Sequence, residues 1–167
     1  MPKRKKIRLK EYDYSSCGAY FVTICVLNKN ALLWNAGALL RPHEPPLSVC
    51  GKITKTSITQ IPLHYENVIV DKYCIMPNHV HIILFFIPKE NRQTSAPTLS
   101  AVVGSMKRWV SQQLGFSIWQ KSFNDNIIRN DKAYQAFVQY IDENSLKQIQ
   151  GRSSARTTLP EPPSRSL

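Results

Sequence analysis

The sequence predicts an α+β fold, a ferredoxin-like sandwich in which an antiparallel sheet is packed with helices. Three observations predict it. Runs rich in β-branched and aromatic residues alternate with segments of helical apolar spacing, in the order strand, helix, strand, strand, helix, weak strand, helix. Met76-Pro77-Asn78 joins two adjacent strand-like runs. A proline cannot donate to a ladder and an asparagine suits a turn, so the pair reads as an antiparallel hairpin. The chain has 167 residues and 43% hydrophobic content, enough for about one domain with one core.

The elements follow in order. Ala19 to Leu27, AYFVTICVL, reads as a buried strand. Asn28 to Pro46 carries Gly37, Pro42, Pro45 and Pro46 and reads as a connection, with a short strand expected near Ala38 to Leu40. Leu47 to Leu63 has apolar residues at Leu47, Val49, Ile53, Ile58 and Ile61; a helix is expected there, capped by Ser48 and ended with the help of Pro62. Asn67 to Ile75 and His79 to Ile87 are the hairpin strands. Thr98 to Gly115 keeps helical spacing through Leu99, Val102, Val103, Met106, Val110 and Leu114. A short strand is expected within Trp119 to Ile128, and a helix over Asp131 to Leu146 with Asn130 or Asp131 as its cap. Residues 1–150 form the expected single domain; Gly151 to Leu167, a basic stretch rich in Ser and Pro, is expected to be a disordered tail.

The net charge of +11 and the isoelectric point near 9.7 favour polyanionic partners, nucleic acid before an anionic membrane surface. Six of the first ten residues are Lys or Arg, a run that can lie along phosphates. No apolar run is long enough to span a bilayer, and no apolar signal region follows the basic start, so a cytoplasmic protein is expected. Cys17, Cys25, Cys50 and Cys74 show neither a CxxC pair nor zinc-ribbon spacing; reduced thiols with packing roles are expected.

His79-Val80-His81 opens the most apolar strand. Alternation along a strand puts both imidazoles on one face, about 7 Å apart at the Cβ. They can converge on one metal ion, or each can be a core histidine with its own hydrogen-bond partners. Leaving two imidazoles near a core needs partners for four ring nitrogens, two of which a metal satisfies. On the last helix Ala133, Phe137, Tyr140, Ile141 and Asn144 share one stripe that should face the sheet. Tyr140 and Asn144 are one turn apart, a phenol beside a carboxamide. A phenol can attack a phosphodiester if a metal polarises the phosphate, and an Asn oxygen is an acceptable ligand for a magnesium- or manganese-type ion. Tyr134 and Tyr73 are the competing tyrosines.

Tyr73 to Leu84, YCIMPNHVHIIL, resembles the signature of the REP-associated tyrosine transposases, relatives of the single-tyrosine insertion-sequence transposases with a His-hydrophobe-His (HUH) motif. Ile7-Arg-Leu-Lys-Glu-Tyr-Asp-Tyr, Gly18-Ala-Tyr-Phe-Val-Thr-Ile-Cys, Trp119-Gln-Lys-Ser-Phe with Ile127-Ile-Arg-Asn, and Tyr140-Ile-Asp-Glu-Asn144 are similar to the same family and stand in the same order. The family commonly has Pro after that Asn, where this chain has Ser145. The resemblance implies a divalent metal, Mg2+ or Mn2+, held by His79, His81 and Asn144, with Tyr140 as nucleophile. It implies cleavage of single-stranded DNA near hairpins through a 5′-phosphotyrosine, the ferredoxin-like fold, and a nucleoid-associated protein working as monomer or homodimer. Phosphate contacts are expected from Lys3, Arg4, Lys5, Lys6, Lys107 and Arg108. Arg129 could reach the scissile phosphate or pair with Asp131. Trp109 and Trp119 could stack bases but are expected to pack.

Three other readings remain open on the sequence. A catalytically inactive or domesticated hairpin-binding protein would use the charge alone. A rolling-circle replication initiator shares the motif logic but usually carries a further domain. A hydrolase of small phosphoesters would want a carboxylate base that the metal motif lacks.

Overall fold

A computed structural model of the chain describes residues 17–35, 45–88 and 96–149. The elements are β1 (Gly18–Cys25), α1 (Val49–Thr59), α2 (Ile61–His64), β2 (Val68–Ile75), β3 (His79–Phe86), α3 (Leu99–Leu114), β4 (Asn124–Ile128) and α4 (Asp131–Ile149). The strands form one sheet in the order β2-β3-β1-β4, with every neighbouring pair antiparallel. That order is the ferredoxin-like arrangement the sequence predicts. The short strand expected near Ala38 to Leu40 and the tail from Gly151 lie outside the described residues, as do Lys3 to Lys6.

Local chemistry explains the boundaries. Thr98 caps α3 by accepting from the Ala101 amide at 3.1 Å, and Gly115 ends it in the left-handed conformation at φ 78°. Asn130, not Asp131, caps α4, its Oδ1 accepting from the Ala133 amide at 2.8 Å. The helix expected over 47–63 is two: α1 stops at Thr59, and Pro62 sits in the first turn of α2, where its missing N–H costs nothing. A Cβ at Gly51 would overlap the Leu33 carbonyl, so the first turn of α1 can lie against the backbone that follows β1 only as glycine.

Strand alternation divides the core. Tyr20, Val22, Ile24, Val80, Ile82 and Leu84 face α1 and α3, together with Ile58, Leu99, Val102, Met106 and Val110. Phe21 and Ile83 face α4, together with Ile128 and Ile141. Three ties hold α4 to the edge strand β2. The Tyr134 hydroxyl donates to Asp71 at 2.9 Å, Lys72 pairs with Asp142 at 2.8 Å, and the Cys74 Sγ lies 3.3 Å from the Ser145 Oγ. A register shift between Val70 and Lys72 leaves Asp71 as the extra residue of β2, so Asp71 and Lys72 both serve the same helix.

Candidate active site

α4 runs along its face of the sheet like a ruler. Tyr134 meets Phe85 at 5.9 Å between ring centroids, Phe137 stacks on Phe21 at 4.4 Å, and Tyr140 meets His81 at 5.2 Å. The stripe expected to face the sheet does so, and its polar end arrives at the histidine pair. His79 and His81 share that face, with Cys25 and Thr23 as their partners across β1. Their Nε2 atoms face one another at 3.0 Å.

Both imidazoles are neutral at pH 7. Burial pushes His79 down to about 4, helped by the positive charge of Lys29. Burial pushes His81 down to about 3, helped by His79. The remaining ring nitrogens have protein partners. His79 Nδ1 lies 2.6 Å from the Asn78 Oδ1, a carbonyl oxygen that only accepts, so this nitrogen carries the proton and Nε2 carries a lone pair. His81 Nδ1 lies 2.9 Å from the Thr23 hydroxyl, which can donate or accept. With Thr23 donating, the His81 Nε2–H bonds to His79. With Thr23 accepting, two Nε2 lone pairs face each other and suit a cation between them. Rotation of the Thr23 hydroxyl together with a shift of the His81 ring proton from Nε2 to Nδ1 therefore prepares both ligands without a change of charge, and the donor set fits a divalent metal. Among the described residues no group of three or more His, Cys, Asp or Glu could hold one, so a third protein ligand would be a neutral oxygen.

Asn144, one turn on from Tyr140, carries such an oxygen. Its Nδ2 donates to the Tyr140 carbonyl at 2.8 Å, leaving Oδ1 as the acceptor. Burial raises the Tyr140 phenol above its ordinary value, and a hydrogen bond from the Asn144 side chain works against that rise; the nearby Cys74 adds to it. The phenol is thus protonated at neutral pH, with a donor in place for the phenolate. The competing tyrosines are elsewhere: Tyr134 is bonded to Asp71, and Tyr73 packs toward α1 and α3.

The expected phosphate contacts that fall on described residues, Lys107, Arg108 and Arg129, are not gathered here. Lys107 and Arg108 lie on α3, behind the sheet. The Lys107 ammonium donates to the carbonyls of Gln120 and Lys121, and burial lowers its pKa. It lines a cavity of about 500 Å³ with Arg108, Lys121 and Trp119. Trp119 is buried, as its packing reading expected. Arg129 is exposed at the far end of β4, next to the Ile128–Ala19 pair, whereas His79 pairs with Cys25. Six residues of strand are about 20 Å, beyond the reach of an Arg side chain, so the scissile-phosphate role fails. Its pairing with Asp131 fails too: the ion pairs among the described residues join Lys72 to Asp142 and Lys147 to Glu143.

Three residues were missed by reading the sequence: Thr23, Asn78 and Lys29. Asn78 precedes the motif and was read only as a turn former. The partnership of Thr23 with His81 depends on cross-strand register, which no local pattern carries.

No family model matches the chain. An uncharacterized protein of Haemophilus influenzae is 32% identical over 163 aligned residues, covering 86% of this chain and 88% of that protein. The two belong to one family. Among solved structures, a REP-associated tyrosine transposase bound to a REP hairpin is similar with a TM-score of 0.58 at 22% identity, over 84% of this chain and 74% of that one. The chain therefore has the fold of the family that its motifs resemble.

Proposed function

We propose that this chain, of one family with the Haemophilus influenzae protein and with the fold of a hairpin-bound REP-associated tyrosine transposase, is itself a transposase-type nuclease acting on single-stranded DNA beside hairpins. The observation that carries the reading is the meeting of Tyr140 with His81 at 5.2 Å, on the face where the two histidine Nε2 atoms converge at 3.0 Å. Two separated segments, β3 and α4, bring the proposed ligand pair and the proposed nucleophile together.

The Tyr140 oxygen attacks phosphorus and loses its proton; the Tyr–O–P bond forms and the P–O3′ bond breaks. The 3′ oxygen takes up a proton and leaves as a hydroxyl, while the 5′ side stays on the protein as a phosphotyrosine. The phosphoester is conserved, so attack by a 3′-hydroxyl can rejoin DNA without an outside energy source. His79, His81 and the Asn144 Oδ1 would hold Mg2+ or Mn2+, which when bound supplies a Lewis acid for the phosphate. Asn78 and Thr23 keep the imidazoles oriented, and the Asn144 amide favours the phenolate. The phenylalanine stack of Phe21 and Phe137 sets the height of α4 above the sheet. We assign the chemistry to residues 1–150. Lys3, Arg4, Lys5 and Lys6 are assigned to DNA backbone, and Arg108 and Arg129 to DNA backbone away from the cleavage point, with Lys107 bracing the wall beside Arg108. Tyr140 and the histidines meet within one chain, so the site needs no second subunit, and a homodimer is compatible with it. Among the described residues no helix is long and apolar enough to cross a membrane.

The test mixes the protein with labelled single-stranded hairpins from its own genomic neighbourhood and Mn2+ or Mg2+, followed by a denaturing gel. A metal-dependent covalent adduct that disappears in Tyr140→Phe and in the His79→Ala, His81→Ala double variant is the expected result. Hairpin binding without an adduct under any metal would replace this reading with that of a silent DNA-binding protein.

A further inference from the structure

The turn after β1, Leu27–Lys29, is strained where it needs no strain for packing. Asn28 and Lys29 both hold φ 55°, the left-handed region. Asparagine tolerates that region; a lysine gains nothing from it, and glycine would occupy it freely. Leu27, Asn28 and Lys29 are all exposed, so no buried side chain accounts for the conformation. Strain of this kind persists only where the surroundings enforce it, and it collects at functional sites.

The enforcement comes from the histidine-bearing turn. The Val26 amide donates to the Asn78 carbonyl at 2.9 Å, and the Leu33 amide donates to the Pro77 carbonyl at 2.9 Å. The Lys29 amide closes the turn on the Val26 carbonyl at 3.0 Å. The Asn78 Nδ2 donates to the Lys29 carbonyl at 3.4 Å, while the Oδ1 of the same side chain holds His79. One asparagine thus ties the backbone of Lys29 to the ring of a metal-ligand candidate. From the other side, Ser48 donates to the Leu32 carbonyl at 2.6 Å.

The Asn78 side chain thus keeps Lys29 beside His79 and its cross-strand partner Cys25, within the length of a lysine side chain of the site. Attack on a phosphodiester gathers negative charge on the nonbridging oxygens, and a fixed cation aimed at them lowers the barrier. Among the described residues Lys29 has no ion pair to spend its charge on.

We infer that Lys29 is a phosphate-binding residue of this site, its ammonium meeting a nonbridging oxygen of the DNA phosphate that Tyr140 attacks; the inference rests on the nuclease reading above.

The experiment first maps the cleaved phosphate from the wild-type adduct. Absence of any wild-type adduct sinks the nuclease reading itself and is thereby distinct from failure of the inference. Single-turnover adduct formation at saturating Mn2+ is then compared across variants. Lys29→Ala is expected to be about 10- to 100-fold slower, and Lys29→Arg to retain most of the rate. Lys29→Gly, which relieves the backbone, should melt about 2–4 °C higher yet react as slowly as Lys29→Ala. A binding cycle in the Tyr140→Phe background separates phosphate contact from a structural role. Lys29→Ala should weaken binding of the normal hairpin about five- to tenfold and leave binding unchanged when the mapped phosphate is a neutral methylphosphonate. Rates of Lys29→Ala and Lys29→Gly within twofold of a wild type that does form the adduct, or equal loss of binding on charged and neutral DNA, overturn the inference.

Discussion

The two faces of the sheet are built to different rules. The face under α1 and α3 is apolar almost throughout, from Tyr20, Val22 and Ile24 across to Ile82 and Leu84. The face under α4 has a smaller apolar cluster around Phe21, Ile83 and Ile141, and gives the rest of its area to His79, His81, Thr23, Tyr140 and Asn144. Apolar burial stabilises in proportion to the area removed from water, while each polar group brought into a core must find a partner merely to break even. The comparison teaches that one layer holds the fold and the other holds the polar groups of the candidate site. The two central strands, β1 and β3, serve both by alternation.

The sharpest break is chemical. Tyr140→Phe removes one oxygen from the α4 face and should abolish the covalent adduct altogether, while a thermal melt moves by little, because the ring still packs against His81 and Phe21. A melt displaced by more than about 8 °C would mean the hydroxyl is structural. The opposite face should behave in reverse. Leu84→Ala, at a fully buried position, should cost about 2–5 kcal/mol by denaturant unfolding. A smaller loss would show that the α1 and α3 layer can collapse onto the gap.

Acid should act on the α4 face alone. The folded pKa values of His79 and His81, about 4 and about 3, lie below the value of about 6.5 for a free histidine. As pH falls, the unfolded chain takes up protons first, so this contribution is whole above about pH 6.5 and is lost toward pH 4, by at most about 1.4 kcal/mol per unit for each ring. Melting across that range should show the decline in the wild type and a flatter course in the His79→Ala, His81→Ala variant. Parallel curves would mean the rings are not buried as neutral species. The smallest effect concerns how α4 is held. Lys72→Ala removes an ion pair whose carboxylate is half exposed, and should change stability by no more than about 0.5 kcal/mol. A larger loss would make the edge contacts, rather than the Phe21–Phe137 stack, the chief anchor of the helix.

Much of the site was legible before any coordinates. His79 and His81 share a face because alternation is a local property of a strand, and Tyr140 and Asn144 are neighbours because a helix turns every 3.6 residues. The sheet-facing stripe of α4 was equally local. What could not be read was of another kind. Lys107 was read as a candidate phosphate contact; its ammonium is bonded to the backbone of Gln120 and Lys121, a contact between segments that only packing brings together. Arg129 stands close to Tyr140 in sequence yet at the opposite end of the sheet, because α4 starts just after it and carries Tyr140 back along the sheet by about 14 Å. The single helix expected over 47–63 became two because proline is compatible with a first turn as well as with a stop.

By itself the sequence determined the element order, the alternation that divides the sheet into two faces, and the pairs His79 with His81 and Tyr140 with Asn144. Each of these depends on residues within a few positions of one another. Only the tertiary structure decided that Thr23 supports His81, that Asn78 joins His79 to a strained Lys29, and that the tyrosine end of α4 arrives over the histidines. Those facts depend on strand register, on one extra residue in β2 and on the landing of one aromatic ring upon another. Such long-range distances are set by the packing of the whole domain and by no segment alone.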